Sequence, residues 1–157
     1  MTLNDVVSYA NNRRAALIEL CADLTQEELN RPLGADKRTI GNRIRHTLHT
    51  ERWLLRSVVF IDTPKKPNPD RMDALPELLF ALKQVRMETE NFLTDLTDQD
   101  LQKTYPWPHE KGQAPPDNPV SLHWLLYHIE EQNTRRAGQL ALLKRMVRKT
   151  LTISCEQ

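Results

Sequence analysis

The sequence predicts an all-α protein, and three observations lead to that class. Leucine-rich stretches repeat apolar residues at a helical period of about 3.6 residues. Eight of the ten prolines fall between these stretches, in residues 64–69 and 106–119, where they mark connections. Alternating runs typical of strands are limited to Leu151–Ile153 near the end of the chain.

Four long helices and one short helical turn follow from this pattern. In chain order they are expected at Asn4–Asp23, Thr25–Leu29 (the turn), Ile40–Ile61, Asp73–Asp95 and Leu122–Arg148. Each long helix carries an apolar stripe, as a four-helix bundle requires. We therefore predict an up-and-down four-helix bundle that forms a single domain over residues 1–157. Residues 104–120 form a long connection between helices 3 and 4, and either a functional lid or a plain excursion fits its length.

One pattern occurs twice in the chain. The segment DLTQEEL in the first half returns in the second half as DLTDQDL. In each half a hydroxyl residue then begins a helix, Thr39 in one and Ser121 in the other, and both read as N-caps. His46 follows Thr39 by seven residues, and His128 follows Ser121 by the same distance. Two matching histidines at matching depths are therefore expected.

Composition and charge exclude several classes of function. The chain has 22 basic and 21 acidic residues, a net charge of +1, and no basic stripe that would bind nucleic acid. It has no apolar run long enough to span a membrane and no secretory signal pattern. We expect a cytoplasmic protein with no membrane or nucleic-acid partner. Cys21 and Cys155 are far apart in sequence, so both are expected to be reduced thiols.

Helix 4 carries a polar stripe beside its apolar one. His128, Gln132 and Arg136 recur at a spacing of four residues, and Arg136 lies on the line of the apolar residues. Burying an unpaired guanidinium is costly, so Arg136 must reach solvent, pair with a carboxylate or face a wet cavity. A structural pair with Glu51 or Glu131 is one interpretation. The other is a polar pocket in the bundle that receives an anionic ligand.

On helix 2, His46 and His49 share one face. Two histidines at this spacing are able to bind a metal ion, but such pairs are common by chance, and an interior histidine with a hydrogen-bond partner is the more frequent explanation of a residue such as His46. The sequence has no short catalytic motif and no glycine-rich phosphate loop.

These residues carry a family resemblance. Residues 39–46 (TIGNRIRH) with 51–54 (ERWL) resemble the helix 2 signature of the DinB-like metalloenzyme superfamily. Residues 121–128, followed by 138–140, resemble its helix 4 signature, and residues 24–32 are similar to its usual link between helices 1 and 2. The resemblance implies a DinB-like four-helix bundle that is commonly dimeric and holds a divalent metal such as zinc or nickel. Some relatives are transferases or isomerases that depend on a low-molecular-weight thiol.

The resemblance also implies a set of metal ligands, namely one histidine on helix 2 and a His-x-x-x-His or Glu-x-x-x-His pair on helix 4. Carried over, the first ligand falls on His46, whereas the pair falls on Gln132 and Arg136. His128 matches a family histidine that is usually not a ligand. Because glutamine is a poor zinc ligand and arginine cannot be deprotonated, we predict that the metal centre is degraded.

The first functional hypothesis is therefore a pocket that holds a small anionic molecule without a metal cofactor. Its expected residues are His46, His128, Gln132, Arg136 and Glu51. Arg136 takes over the positive role of the metal and holds a carboxylate, sulfonate or phosphate group.

Two other classes stay open at this stage. One is an active metal-dependent hydrolase or thiol-dependent transferase that holds zinc or nickel through His46, with His49, His128 or Glu131 as substitute ligands. The other is a non-catalytic interaction scaffold. The sequence names neither a substrate nor a reaction.

A homodimer is the predicted assembly, because the resemblance implies one. The four consecutive apolar residues Val58–Ile61 cannot all face one core, so they are the expected interface. In the monomer alternative, Leu151 and Ile153 fold back over them.

Overall fold

A computed structural model describes residues 2–34, 38–59, 74–107 and 119–155 of the chain. Its helices are α1 Leu3–Ala22, α2 Gln26–Asn30, α3 Ile40–Val58, α4 Leu75–Thr94 and α5 Leu122–Cys155. A 3₁₀ turn covers Asp100–Gln102, and the two short antiparallel strands are β1 Thr104–Tyr105 and β2 Val120–Ser121. The all-α class is confirmed. None of the described helices is long and apolar enough to cross a bilayer.

The helices begin where the hydroxyl residues predict. Thr39 Oγ1 accepts a hydrogen bond from the Asn42 backbone N–H at 3.0 Å, which caps α3. Ser121 Oγ accepts from the Trp124 backbone N–H at 3.1 Å at the start of α5. His46 and His128 therefore lie equally deep in their helices, as the repeated pattern predicts.

Two helix ends differ from the prediction. Helix α3 ends at Val58 rather than Ile61, and α5 continues past Arg148 to Cys155, so Leu151–Ile153 is helical rather than extended. The pattern Leu-Thr-Ile is too short to tell strand from helix, and the preceding helix extends through it.

Four long helices pack in pairs around the core. Helix α5 packs against α1 and α3, and α4 packs against the same two helices. Helices α1 and α3 therefore occupy one diagonal of the bundle, and α4 and α5 occupy the other.

Two apolar clusters fill the bundle, one toward each end. The first apolar cluster includes Val6, Val58, Leu93 and Leu125. The second apolar cluster includes Leu17, Ile44, Leu82 and Leu140. Helices α1 and α5 thus run from the first cluster to the second, whereas α3 and α4 both run from the second to the first.

The helix directions correct one part of the predicted topology. An up-and-down bundle alternates at every step, but α3 and α4 run parallel. The 16 residues between Val58 and Leu75 make this feasible, since they reach up to about 50 Å when extended and the 19-residue α3 is only about 28 Å long. The predicted long connection between the third and fourth long helices, α4 and α5, is confirmed and starts and ends at the first cluster.

The predicted interface at the end of helix 2 is partly wrong. Val58 is 1% exposed and belongs to the first apolar cluster, and Val59 packs against it. Phe60 and Ile61 lie outside the described residues. The fold-back alternative is also wrong for Leu151, which packs against the second cluster at the opposite end of the bundle.

Candidate functional site

A layer of polar side chains lies between the two apolar clusters. All four long helices contribute to it, and its buried members are Arg14, Glu51, Thr89, Glu130 and Asn133. Buried polar groups need hydrogen-bond partners, because an unpaired group loses its water without compensation.

Glu51 on α3 is the acceptor at the centre of this layer. Arg14 Nη2 lies 2.8 Å from Glu51 Oε1 and 3.0 Å from Glu130 Oε1, so one guanidinium joins α1 to α3 and α5. Thr89 Oγ1 of α4 donates to Glu51 Oε1 at 2.8 Å, and Asn133 Nδ2 of α5 donates to Glu51 Oε2 at 3.2 Å. Glu51 therefore binds side chains from the three other long helices.

The layer is not fully satisfied. Arg14 Nε and Nη1 and Glu130 Oε2 have no hydrogen-bond partner within the described residues. A cavity of about 20 Å³ borders Arg14 and Glu51, which is room for about one water molecule. Burial raises the pKa of Glu130 to about 7, Arg14 lowers it in part, and Glu51 raises it further.

Arg136 of α5 lies outside these pairings. It is 8% exposed, and its Nη1 has no hydrogen-bond partner in the described part of the chain. Burial lowers the pKa of Arg136, and the like charges of Arg43 and Arg135 lower it further, whereas Glu51 acts in the opposite direction. Among the described residues it forms no ion pair, so the structural pair predicted with Glu51 or Glu131 is wrong. Glu51 is bonded to Arg14 instead.

His46 lies beside Arg136 at an open edge of the bundle. His46 is exposed. Partial burial lowers the pKa of His46, and the charges of Arg136 and Arg43 lower it further. Together, Arg136, Arg43, Arg135 and His46 form a basic patch on α3 and α5, which we call the Arg136 site. Gln132 is half-buried one turn before Arg136.

His128 belongs to a different region. Its ring stacks on Trp124 with 4.8 Å between centroids and 9° between planes, and Trp107 meets it edge-on at 5.9 Å. Glu131 Oε2 is 3.5 Å from its Nδ1. Trp107 also contacts Trp53 edge-on at 6.5 Å, so this is an aromatic cluster that joins α3 and α5 to the start of the long connection.

His46 and His128 lie far apart along the axis of the bundle. Because α3 and α5 are antiparallel and Glu51 pairs with Asn133, His46 faces the level of Gly138, ten residues beyond His128. At 1.5 Å per residue the two are about 15 Å apart along the axis. The predicted pocket is thus divided into an Arg136 site that includes His46, an aromatic cluster that includes His128, and a buried layer around Glu51.

Sequence reasoning missed Arg14 and Glu130, although a signal was present. Arg14 interrupts the apolar positions Ala10 and Leu17 at helical spacing, which places it on the buried face of α1. Glu130 follows buried Ile129 and is itself 2% exposed. A charged residue inside an apolar stripe is the pattern that would have found both.

The thiols offer no reactive centre within the described residues. Cys21 is a free, buried cysteine, and burial raises its pKa to about 11, so little thiolate forms near neutral pH. The side chain of Cys155 lies outside the described part of the chain.

Comparison with known proteins agrees with this architecture. A family model described as the DinB superfamily matches residues 10–140. The chain belongs to the DinB superfamily.

Solved structures support the same fold. A DinB-like protein from Bacillus cereus ATCC 10987 superposes with a TM-score of 0.75 at 14% identity, covering 92% of each chain. A conserved protein from Enterococcus faecalis gives a TM-score of 0.61 at 16% identity, over 94% of this chain and 98% of the other. No curated protein matches the sequence.

The metal centre associated with the superfamily does not fit the donors present. The implied ligand positions hold His46, Gln132 and Arg136, and the last is a cation that cannot lose its proton. Within the described residues, no group of three or more His, Cys, Asp or Glu side chains lies close enough to hold a metal ion. A divalent cation at Arg136 would also meet the charges of Arg43 and Arg135.

Proposed function

We propose that this DinB-superfamily protein has a degraded metal centre and binds a small anion at the Arg136 site. The ligand class is a carboxylate, sulfonate or phosphate group on a small molecule. The single observation that carries the proposal is the burial of Arg136 without a carboxylate partner among the described residues. A second reason is the charge of its neighbours, since Arg43 and Arg135 both oppose the charge on Arg136.

An anion would compensate both unfavourable features of this site. A buried guanidinium without a hydrogen-bonded partner is destabilising, and three like charges add repulsion. The planar fork of arginine matches the oxygens of carboxylate and phosphate groups. His46, whose pKa is lowered, is neutral near pH 7 and retains one ring N–H that can donate to the same ligand.

The first prediction tests this site with inorganic phosphate, acetate and methanesulfonate as probes. At constant ionic strength, one of them should raise the melting temperature of the wild-type protein by preferential binding to the folded state, as measured by differential scanning fluorimetry. A ligand at a hundred times its Kd adds about 2.7 kcal/mol of stability. Arg136→Met should abolish that gain.

The matched control is Arg145→Gln, because Arg145 is an exposed arginine on the same helix that does not belong to the Arg136 site. It should retain most of the anion effect. Arg136→Met should also leave the ligand-free protein at least as stable as the wild type, since it removes a buried unpaired cation. Equal anion effects in wild-type and Arg136→Met proteins would reject the proposal.

The competing interpretation is a metal-dependent hydrolase or thiol-dependent transferase that uses His46 with substitute ligands. The second prediction is that protein purified without chelator or affinity tag contains far less than one zinc or nickel per chain, as measured by elemental analysis. Stoichiometric metal that is lost in His46→Ala but kept in His123→Ala would favour the metal-dependent enzyme instead. His123 is a suitable control because it lies on α5 near the opposite end of the bundle.

A further inference from the structure

Positive charge reaches the Arg136 site from two helices. Helix α3 contributes Arg43, and α5 contributes Arg135 and Arg136. Arg136 is buried, Arg43 is half-buried and Arg135 is exposed, so their charges extend from the interior of the bundle to its surface. Arg43 and Arg135 both act on Arg136 as like charges. Because arginine stays protonated in proteins, these charges are permanent.

The register of the helices places Arg43 and Arg136 at similar heights in the bundle. Helices α3 and α5 are antiparallel, and Glu51 on α3 accepts a hydrogen bond from Asn133 on α5. Arg136 is three residues beyond Asn133, so it faces the level three residues before Glu51. Arg43 lies five residues before that level, which is about 8 Å at 1.5 Å per residue. An arginine side chain can span most of this offset, so one small group can contact side chains from both helices.

The carboxylate that favours the charged form of Arg136 is bonded to other residues. Glu51 acts against the like charges at Arg136. Its oxygens accept from Thr89 and Asn133, and its Oε1 lies 2.8 Å from Arg14 Nη2. The negative charge of Glu51 is therefore shared with Arg14, and the Arg136 site keeps an excess of positive charge. A ligand with two negative charges compensates more of this excess than a ligand with one.

We propose that the ligand of the Arg136 site is a phosphate monoester whose phosphate group carries two negative charges, an inference that rests on the proposed function and narrows its ligand class. A phosphate group presents three terminal oxygens in a tetrahedral arrangement, so it can accept from guanidinium groups on two helices at once. A carboxylate has two oxygens in one plane and a single charge. A sulfonate has three oxygens, but its charge is also single.

The exposure of the site determines how the monoester is oriented. Arg136 is 8% exposed, whereas His46 beside it is exposed. The phosphate group therefore binds toward Arg136, and the esterified group points past His46 into solvent. Free inorganic phosphate shares the same charge and oxygens, so the esterified group is what distinguishes the two sources.

The third prediction compares methyl phosphate with dimethyl phosphate and methanesulfonate by isothermal titration calorimetry at pH 8 and constant low ionic strength. The second pKa of a phosphate monoester is about 6, so methyl phosphate carries two charges at this pH, and the other two probes carry one each. Methyl phosphate should bind the wild-type protein about tenfold more tightly than either, because its second charge interacts with a second arginine. Arg136→Met should abolish the binding of all three.

Substitution of the neighbouring arginines tests where the second charge binds. Arg43→Gln should weaken the binding of methyl phosphate about tenfold and that of dimethyl phosphate by less, so that the preference narrows. Arg135→Gln should narrow it in the same direction and changes an exposed residue, so it decides the question if Arg43→Gln does not fold. The matched control is Arg145→Gln, which changes an exposed arginine on α5 outside the site and should keep the full preference. Circular dichroism checks the folding of each variant.

The outcomes distinguish a failure of this inference from a failure of the proposed function. If acetate, dimethyl phosphate or methanesulfonate binds as tightly as methyl phosphate, or if neither Arg43→Gln nor Arg135→Gln narrows the preference, the site holds an anion but the doubly charged phosphate is wrong. If inorganic phosphate binds and methyl phosphate does not, the monoester is wrong. If no probe binds, or if binding persists in Arg136→Met, both the inference and the proposed function are wrong.

Discussion

Arg14 and Arg136 both lie inside the bundle, and they differ in what surrounds them. Arg14 is 4% exposed and sits between the carboxylates of Glu51 and Glu130. Arg136 is 8% exposed and has the cations Arg43 and Arg135 nearby. Arg14 therefore has the partners that a structural role requires, and Arg136 has the surroundings that an anionic ligand would complete.

Glu130 provides the fourth prediction, a dependence of stability on pH. Its pKa is near 4.5 in the unfolded chain and about 7 in the folded protein, where burial disfavours the charge. Between these values the folded state binds more protons than the unfolded state, so the free energy of unfolding falls as pH rises from about 4.5 to 7. The contribution is on the order of 3 kcal/mol, at about 1.4 kcal/mol per unit of pKa.

Urea denaturation from pH 5 to pH 8 measures this effect. Wild-type protein should lose stability over that range relative to Glu130→Gln, which cannot ionise. Glu19→Gln is the matched control, because Glu19 is an exposed glutamate on α1, and it should follow the wild-type curve. If Glu130→Gln and the wild type change in parallel with pH, Glu130 does not titrate in this range.

At the scale of elements, the short helix α2 depends on one glutamate. Thr25 Oγ1 accepts from the Glu28 backbone N–H at 3.1 Å, and the Glu28 carboxylate accepts from the Thr25 backbone N–H at 2.9 Å, which forms a capping box. Glu28 also accepts from Arg148 Nε at 2.6 Å, which ties α2 to α5. The repeated segment keeps the bond from the threonine backbone to the carboxylate, since the Thr97 backbone N–H donates to Asp100 Oδ2 at 2.7 Å.

The fifth prediction separates the two roles of Glu28. Thr25→Ala removes one cap interaction and should cost about 1 kcal/mol of unfolding free energy. Glu28→Gln weakens both the cap and the charged bond to Arg148, and should cost about 1 to 3 kcal/mol. Denaturation at pH 7 gives both values.

The difference in unfolding free energy between Glu28→Gln and the wild type should also depend on pH. The hydrogen bond from Arg148 is the main cause that lowers the pKa of Glu28, so its stabilisation is present above pH 4.5 and is lost as the carboxylate becomes protonated at lower pH. Glu28→Gln should therefore approach the wild type in acid. A larger loss in Thr25→Ala than in Glu28→Gln at pH 7 would show that capping alone matters.

At the scale of the whole molecule, the contacts of the polar layer fix the alignment of the four long helices. The two apolar clusters would pack nearly as well if one helix slid by a turn, because leucines recur along every stripe. Arg14, Glu51, Thr89 and Asn133 meet only in one alignment. The polar layer therefore contributes more to the specificity of helix register than to net stability. Specifying register is the best-attested role of buried polar groups.

The sequence by itself determined the local features of this protein. Apolar periodicity predicted the four long helices, and Thr39 and Ser121 predicted where two of them begin. The same spacing placed Arg136 on a buried face, and its 8% exposure agrees. These features follow from the sequence because a helix face and an N-cap are set by residues three or four positions apart.

Only the tertiary structure decided which side chains meet. In the folded protein Glu51 pairs with Arg14 rather than with Arg136, and His128 belongs to an aromatic cluster. Helices α3 and α4 run parallel. Each of these depends on the direction and register of helices that are far apart in sequence. Helical periodicity is unchanged when a helix is reversed or shifted by a turn, so it carries no information about either, and only contacts between helices settle them.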